Sequence, residues 1–187
     1  QYWSEMVVRK DSDFQNIEDT FGGRIALTVP DSQSGCLAAL SYLKEAADRF
    51  PLYGELTTPR ITPLGAMSAV IDGAADVAPI DSYAYCLLQK YRSDLTSQLR
   101  IVGRTPRTPI PPLVASAPGF DALQAAFLEA HRIAAMIPLM EGLLLERFER
   151  PDPASYDALR SNFEIASRYW RAHPLAATLH PAFVFEG

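Results

Sequence analysis

The sequence predicts an α/β fold, and three observations carry that expectation. Short runs of strand-forming residues alternate with stretches whose apolar residues recur every three or four positions, from the first residues to about position 104. One run, Arg24 to Val29 (RIALTV), is almost continuously apolar, the pattern of a strand covered on both faces. At 187 residues, 48% of them hydrophobic, the chain is long enough to build a sizeable core. Such alternation implies parallel strands joined by right-handed helical crossovers, with helices on both faces of the sheet.

In order, Tyr2 to Arg9 (YWSEMVVR) reads as a strand, QNIEDTFGG as a helical turn closed by Gly22 and Gly23, and RIALTV as the buried strand. From Ser34 to Phe50 the residues Cys36, Ala39, Leu40, Leu43, Ala46, Ala47 and Phe50 make one apolar stripe, while Ser41, Lys44, Glu45, Asp48 and Arg49 face away. A strand near Leu56 to Ile61 precedes a helix from Leu64 to Ile71, stopped by Asp72 and Gly73. Strand Val77 to Ile80, helix Ser82 to Tyr91 and strand Arg100 to Gly103 follow.

The composition breaks at Thr105 to Pro112 (TPRTPIPP), where four of eight residues are proline, so this segment is expected to be an extended crossover. Beyond it the pattern is helical: Phe120 to Ala134, Leu139 to Phe148, and Ala154 to Trp170, the last with Tyr156, Leu159, Phe163, Ala166 and Trp170 on one stripe.

A formal net charge of -5 argues against a nucleic-acid partner, which selects a basic face. The most apolar run, residues 136 to 148 (MIPLMEGLLLERF), is too short for a membrane span and ends in charges. Cys36 and Cys86 form neither a metal motif nor a disulfide framework, and both fall on apolar helical stripes, the place of buried thiols. His131, His173 and His180 have no partner at metal-ligand spacing, so neither metal nor cofactor is expected. PDSQSG is not the G-x-S-x-G elbow of a hydrolase, and no histidine precedes residue 131 to serve a serine nucleophile.

The polar cluster Ser32, Gln33, Ser34 and Gly35 sits between RIALTV and a helix. Free N–H groups at a helix start, joined by two hydroxyls, form a neutral site for a phosphate-like oxyanion without lysine or arginine. The same residues also read as a simple N-cap, and both readings stand at this point. Asp81 follows a strand and opens a helix, and Thr62 precedes Pro63, a residue favoured at the first helical position. Each is either a cap or a ligand contact at the carboxyl edge of the sheet, where open α/β sheets bind ligands.

Taken in order, YWSEMVVRKDSDFQNIEDTFGGRIALTVPDSQSG, DGAADVAPIDSYAY and RTPRTPIPPLVAS resemble the phosphonate/phosphite/phosphate-binding periplasmic proteins of ABC importers. That family carries a Tyr-x-Ser strand, a basic-Asp-Ser turn, a Ser-Thr-Ser-Gly loop, a G-x-A-D-x-A-x-x-D segment and a proline-rich return, and the likeness spans residues 1 to 116. The resemblance implies a periplasmic-binding-protein-like fold: hinge strand 1–9, a three-layer α/β ligand-binding lobe 10–104, a crossover 105–112, and the mainly helical C-terminal part of the other lobe, 113–187. It implies that Ser32, Gln33, Ser34 and Gly35 hold the oxyanion, that Tyr2 reaches in from the hinge strand, that Thr62 lines the site, and that Asp81 meets a ligand amine or hydroxyl.

Gln33 stands where the family has threonine, and Pro63 where it has histidine, which removes one donor and points to a related anion. The implied function is non-enzymatic capture of a small oxyanion, phosphonate or phosphate-like, in the periplasm for an ABC permease. The alternatives are a sensory or regulatory binding domain of the same fold, or binding of a different small anion. The family also has an opening β-α-β region before the Tyr-x-Ser strand. The resemblance therefore implies apolar surface on the helices of 113–187 that a further segment or another chain covers.

Overall fold

The computed structural model describes residues 1–47, 51–57, 60–116 and 119–172. Residues 48–50 of the expected first long helix, 58–59 of the expected strand near Leu56, and both His173 and His180 lie outside the described residues.

Among the described residues five strands form the centre: β1 (Ser4–Arg9), β2 (Arg24–Ile25), β3 (Glu55–Leu56), β4 (Ala78–Asp81) and β5 (Leu99–Arg104). β1 lies between β4 and β5 and is antiparallel to both. β2 pairs with β3 in parallel, and a parallel bridge between Ile25 and Val77, with the Ala26 N–H on the Val77 carbonyl at 2.9 Å, sets β2 beside the start of β4. β2, β3, β4 and β5 therefore run one way and β1 runs against them. The expectation of uniformly parallel strands is corrected at β1, because hydrophobic alternation reports which face a residue takes and carries no strand direction.

Among the described residues seven α-helices accompany the sheet: α1 (Ala38–Ala46), α2 (Pro63–Ile71), α3 (Ser82–Tyr91), α4 (Ser93–Thr96), α5 (Phe120–Glu129), α6 (Ile137–Gly142) and α7 (Ala158–Ala172). Successive strand residues divide between two cores, as alternation requires. Met6, Val8, Ile25 and Leu27 pack with Leu40 and Leu43 of α1 and Ala166 and Tyr169 of α7. Val7, Ala26 and Ile80 pack with Met67 and Val70 of α2 and Tyr85 of α3. The result is a three-layer α/β/α unit in which the RIALTV segment is buried on both faces, as its sequence predicts, while β5 is only half-buried along most of its length. Each fully buried leucine or isoleucine contributes about 1.5–3 kcal/mol relative to exposure.

The chain forms two compact units: residues 1–109 with the segment from Tyr156, and residues 110–155. Here the structure differs from the grouping by sequence, in which α7 belongs with the helices after residue 113. Tyr169 and Ala166 are fully buried in the α1 core, so this amphipathic helix finds its apolar partner in the α/β unit. Burial pushes the Tyr169 phenol up, well above its ordinary range.

Within residues 110–155, α5 leads through a 3-10 turn (Ala130–Arg132) to α6, with Phe127 against Phe148 edge-on at 4.9 Å between ring centroids. Ala130 and Met140 are buried, while Leu113, Val114, Leu123 and Leu139 are exposed, Val114 at 87%. Cys36 and Cys86 are not bridged; Cys36 is buried, and Cys86, expected to be buried, is exposed on α3.

Candidate functional site

Because β2, β3 and β4 run the same way, residues 29–35, residues 60–62 and Asp81 emerge at one end of the sheet. β1, running against them, brings Tyr2, Trp3 and Ser4 to that same end, with Ser4 directly opposite Asp81 in the β1–β4 register. Two ties join these pieces. The Ser4 hydroxyl donates to the Ser34 carbonyl at 2.6 Å, and Ser82, the first residue of α3, donates its N–H to the Trp3 carbonyl at 2.9 Å. Tyr2 is buried and exchanges a pair of backbone hydrogen bonds with Thr108, at 2.9 and 2.8 Å.

The capping reading holds for three of the expected site residues. Ser32 Oγ accepts from the Gly35 N–H at 3.1 Å, Thr62 Oγ1 from the Gly65 N–H at 3.1 Å, and Asp81 Oδ1 from the Ala84 N–H at 2.7 Å. Pro63 opens α2, as its sequence position predicts. Capping uses an acceptor and leaves each hydroxyl its proton and Asp81 its second carboxylate oxygen, so a cap and a ligand contact are compatible on one side chain.

The donors of the 32–35 turn are distributed unequally. Residues Gln33–Leu37 form one wide turn ahead of α1, in which the N–H groups of Cys36 and Leu37 both reach the Ser32 carbonyl, at 3.1 and 3.0 Å. The N–H groups of Gln33 and Ser34 have no acceptor among the described residues. The buried Gln33 Nε2 likewise has no hydrogen-bond partner there, and neither does Thr28 Oγ1, at the end of the RIALTV run. A buried, unpartnered amide costs about 1–3 kcal/mol, so a donor cluster of this kind is costly unless something accepts from it. Gly35 lets the turn sit against the strand: a Cβ there would fall 1.9 Å from Thr28 Oγ1.

Electrostatics link Tyr2, Ser34 and Asp81. Burial pushes the Tyr2 phenol up, a hydrogen bond with the Ser34 side chain pulls it partly back, and the Asp81 charge raises it again. Tyr2 therefore stays protonated as a donor beside a carboxylate. Burial and the same Asp81 charge also raise Tyr83. The set Tyr2, Ser32, Gln33, Ser34, Gly35, Thr62 and Asp81 thus combines neutral donors with one acid and contains no lysine, arginine or histidine.

A cavity of about 170 Å³ lies at the other end of the sheet, lined by Arg9, Ser12, Arg24, Gly73 and Asp76 among others. Its guanidinium groups already have partners: Arg24 holds Asp76 at 2.8 Å and Arg9 holds Asp11. Among the described residues no cluster of histidine, cysteine and acidic side chains could hold a metal ion.

Sequence reasoning missed Ser4, Thr28 and Ser82 as parts of this edge. Ser4 lies inside the Tyr-x-Ser motif, a signal without an assigned role; Thr28 and Ser82 read as ordinary strand and helix residues.

The architecture has solved counterparts. A binding protein component of an ABC phosphonate transporter from Pseudomonas aeruginosa matches with a TM-score of 0.72 at 18% identity, covering 92% of this chain and 60% of that one. PhnD1 from Prochlorococcus marinus, in complex with methylphosphonate, matches with a TM-score of 0.73 at 16% identity, covering 88% of this chain and 66% of that one. XAC2383 from Xanthomonas citri, bound to chloride, matches with a TM-score of 0.63 at 20% identity, covering 90% and 66%. The chain thus spans about three-fifths to two-thirds of the length of these structures. No curated protein matches the sequence.

These neighbours define the class as periplasmic-binding-protein-like, a mixed α/β fold. The family model described as "ABC transporter, phosphonate, periplasmic substrate-binding protein" matches residues 1–156, and the chain belongs to that family.

Proposed function

We propose that the protein is a periplasmic solute receptor that captures a small oxyanion, phosphonate or phosphate-like, and delivers it to an ABC permease. The observation that carries this reading is the set of unsatisfied donors at 33–34, comprising two backbone N–H groups and the buried Gln33 amide, at the same sheet edge as Tyr2 and Asp81. An oxyanion supplies the acceptors these groups lack, and a helix start adds favourable dipole. In this reading Gln33 and Ser34 bind the oxyanion through their amides, Ser32 and Thr62 give their remaining hydroxyl protons, and Tyr2 donates its phenol proton. Gly35 allows the close approach of the turn, and the free Asp81 oxygen accepts from a ligand hydroxyl or amine. Capture is binding without turnover, consistent with a family of transporter binding proteins. The exposed apolar side chains of residues 110–155 support the expectation that further polypeptide covers them.

A thermal-shift panel tests the reading, with phosphate, phosphite, methylphosphonate, 2-aminoethylphosphonate and acetate. An anion at one hundred times its dissociation constant adds about 2.7 kcal/mol of stability. A panel in which acetate alone raises the melting temperature refutes the phosphorus-oxyanion assignment.

A further inference from the structure

We propose that Ser4 is a positioning residue of the anion site, a buried hydroxyl that holds the 32–35 turn in its donor-presenting shape without touching the ligand. The inference rests on the oxyanion-receptor reading above.

Ser4 is completely buried, and each of its polar groups is engaged. Its N–H donates to Thr105 Oγ1 at 2.9 Å, its carbonyl accepts from the Thr105 N–H at 3.1 Å, and its hydroxyl donates to the Ser34 carbonyl at 2.6 Å. The hydroxyl is thus mounted on a backbone held on one side by Thr105 and on the other by the pairing with Asp81.

The group it grips matters. The Ser34 carbonyl and the Gly35 N–H belong to one planar peptide unit. Ser4 holds the oxygen, and Ser32 Oγ holds the N–H at 3.1 Å. A peptide plane held at both ends fixes how Ser34 leads into Gly35, and the preceding plane, which carries the free Ser34 N–H, is held at its Gln33 carbonyl by the Ala38 N–H, so the backbone of Ser34 is pinned on both sides. The turn is also wide, two N–H groups sharing the Ser32 carbonyl, so an external hold opposes its tightening into an ordinary helical turn. Donors set in advance bind an anion without a reorganisation cost. The neighbouring Trp3 holds Ser82 through its backbone, its N–H donating to Ser82 Oγ at 3.2 Å and its carbonyl accepting from the Ser82 N–H at 2.9 Å, so one strand end ties to both helix starts, with Ser4 holding the one that bears the unsatisfied donors.

The test is titration calorimetry with methylphosphonate, phosphite and phosphate on the unsubstituted protein, Ser4→Ala and Ser4→Thr. Loss of one buried hydrogen bond should weaken each bound anion by about tenfold, and by a common factor, because Ser4 contacts none of them. Ser4→Thr, which keeps the hydroxyl, should return affinity to within about twofold. A Ser4→Ala protein that melts lower but binds with unchanged affinity overturns the inference, as does a change in the ratio between anions. Should Ser4→Ala not fold, Ser4→Cys serves, its weak S–H donor replacing the hydroxyl. Faster hydrogen exchange at the Ser34 and Gly35 amides with weakened binding supports the role, and unchanged exchange and binding overturn it. Failure of the unsubstituted protein to bind any of the three anions removes the receptor reading and this inference together. Equal binding by the unsubstituted and Ser4→Ala proteins removes this inference alone.

Discussion

One added methyl group, Gly35→Ala, measures how closely the donor turn is seated on the sheet. A Cβ at this position falls 1.9 Å from Thr28 Oγ1 and 2.8 Å from both Thr28 Cβ and Cγ2. Rotating the Thr28 side chain moves Oγ1 and Cγ2 but leaves its Cβ in place, and carbon atoms in contact sit about 3.5–4.0 Å apart. The backbone must therefore yield by roughly 0.7 Å or more on that basis. Thr28 is buried and its N–H bonds the Gly35 carbonyl at 3.1 Å, so strand and turn are tied together and neither yields freely. Overpacking of this kind costs about 1–3 kcal/mol, here toward the upper end because a backbone-fixed atom is involved. Helix propensity acts in the opposite direction, alanine being favoured over glycine by about 1 kcal/mol. The net expectation is a loss of about 2 kcal/mol, or about 4–8 °C in melting temperature for a chain of this size. Urea denaturation with parallel thermal melts reads it directly. A Gly35→Ala protein as stable as the parent, or more stable, would mean that propensity wins and that the turn is not pressed against Thr28.

Other substitutions test separate links. Gln33→Leu removes a buried unsatisfied amide, so the unliganded urea midpoint should rise by about 1 kcal/mol in stability while stabilisation by methylphosphonate falls; a rise with unchanged anion binding would leave Gln33 outside the site. Asp81→Ala should cost about 1 kcal/mol through loss of the α3 cap and Asp81→Asn a few tenths, as measured by denaturant midpoints. Burial pushes the Asp76 carboxyl up, but hydrogen bonds from the Arg24 side chain and backbone outweigh it and, with the guanidinium charge, hold it below the usual range. That contribution is present above the unfolded value near 3.8 and is lost as pH falls through the lower folded value, so Asp76→Asn should flatten the fall in stability below about pH 4. Tyr169→Ala should cost about 3–5 kcal/mol and release α7 from α1, visible as increased proteolysis of the C-terminal helix.

Residue patterning located most of the strands and helices, because burial on one face or two repeats with the period of the backbone, but not all their limits: the strand expected near Leu56–Ile61 is β3 only at Glu55–Leu56, and the helix expected over Leu139–Phe148 is α6, Ile137–Gly142. RIALTV is buried on both sides, Ser82–Tyr91 is α3 at the predicted limits, and Pro63 starts α2 one residue ahead of the expected Leu64. Chemistry at helix starts was legible too, since Ser32, Thr62 and Asp81 are the residue types that accept from free N–H groups, and each does so. Local patterning could not decide what depends on partners distant in sequence. The reversed direction of β1 follows from its pairing with β4 and β5, some seventy to a hundred positions away. The seating of α7 on α1 follows from which apolar face it finds. The hold of Ser4 on Ser34 exists only because the reversed strand delivers its first residues to the edge where the parallel strands end. Periodicity sets which side of an element is apolar, and only the assembled sheet sets which polar atoms are left facing one another.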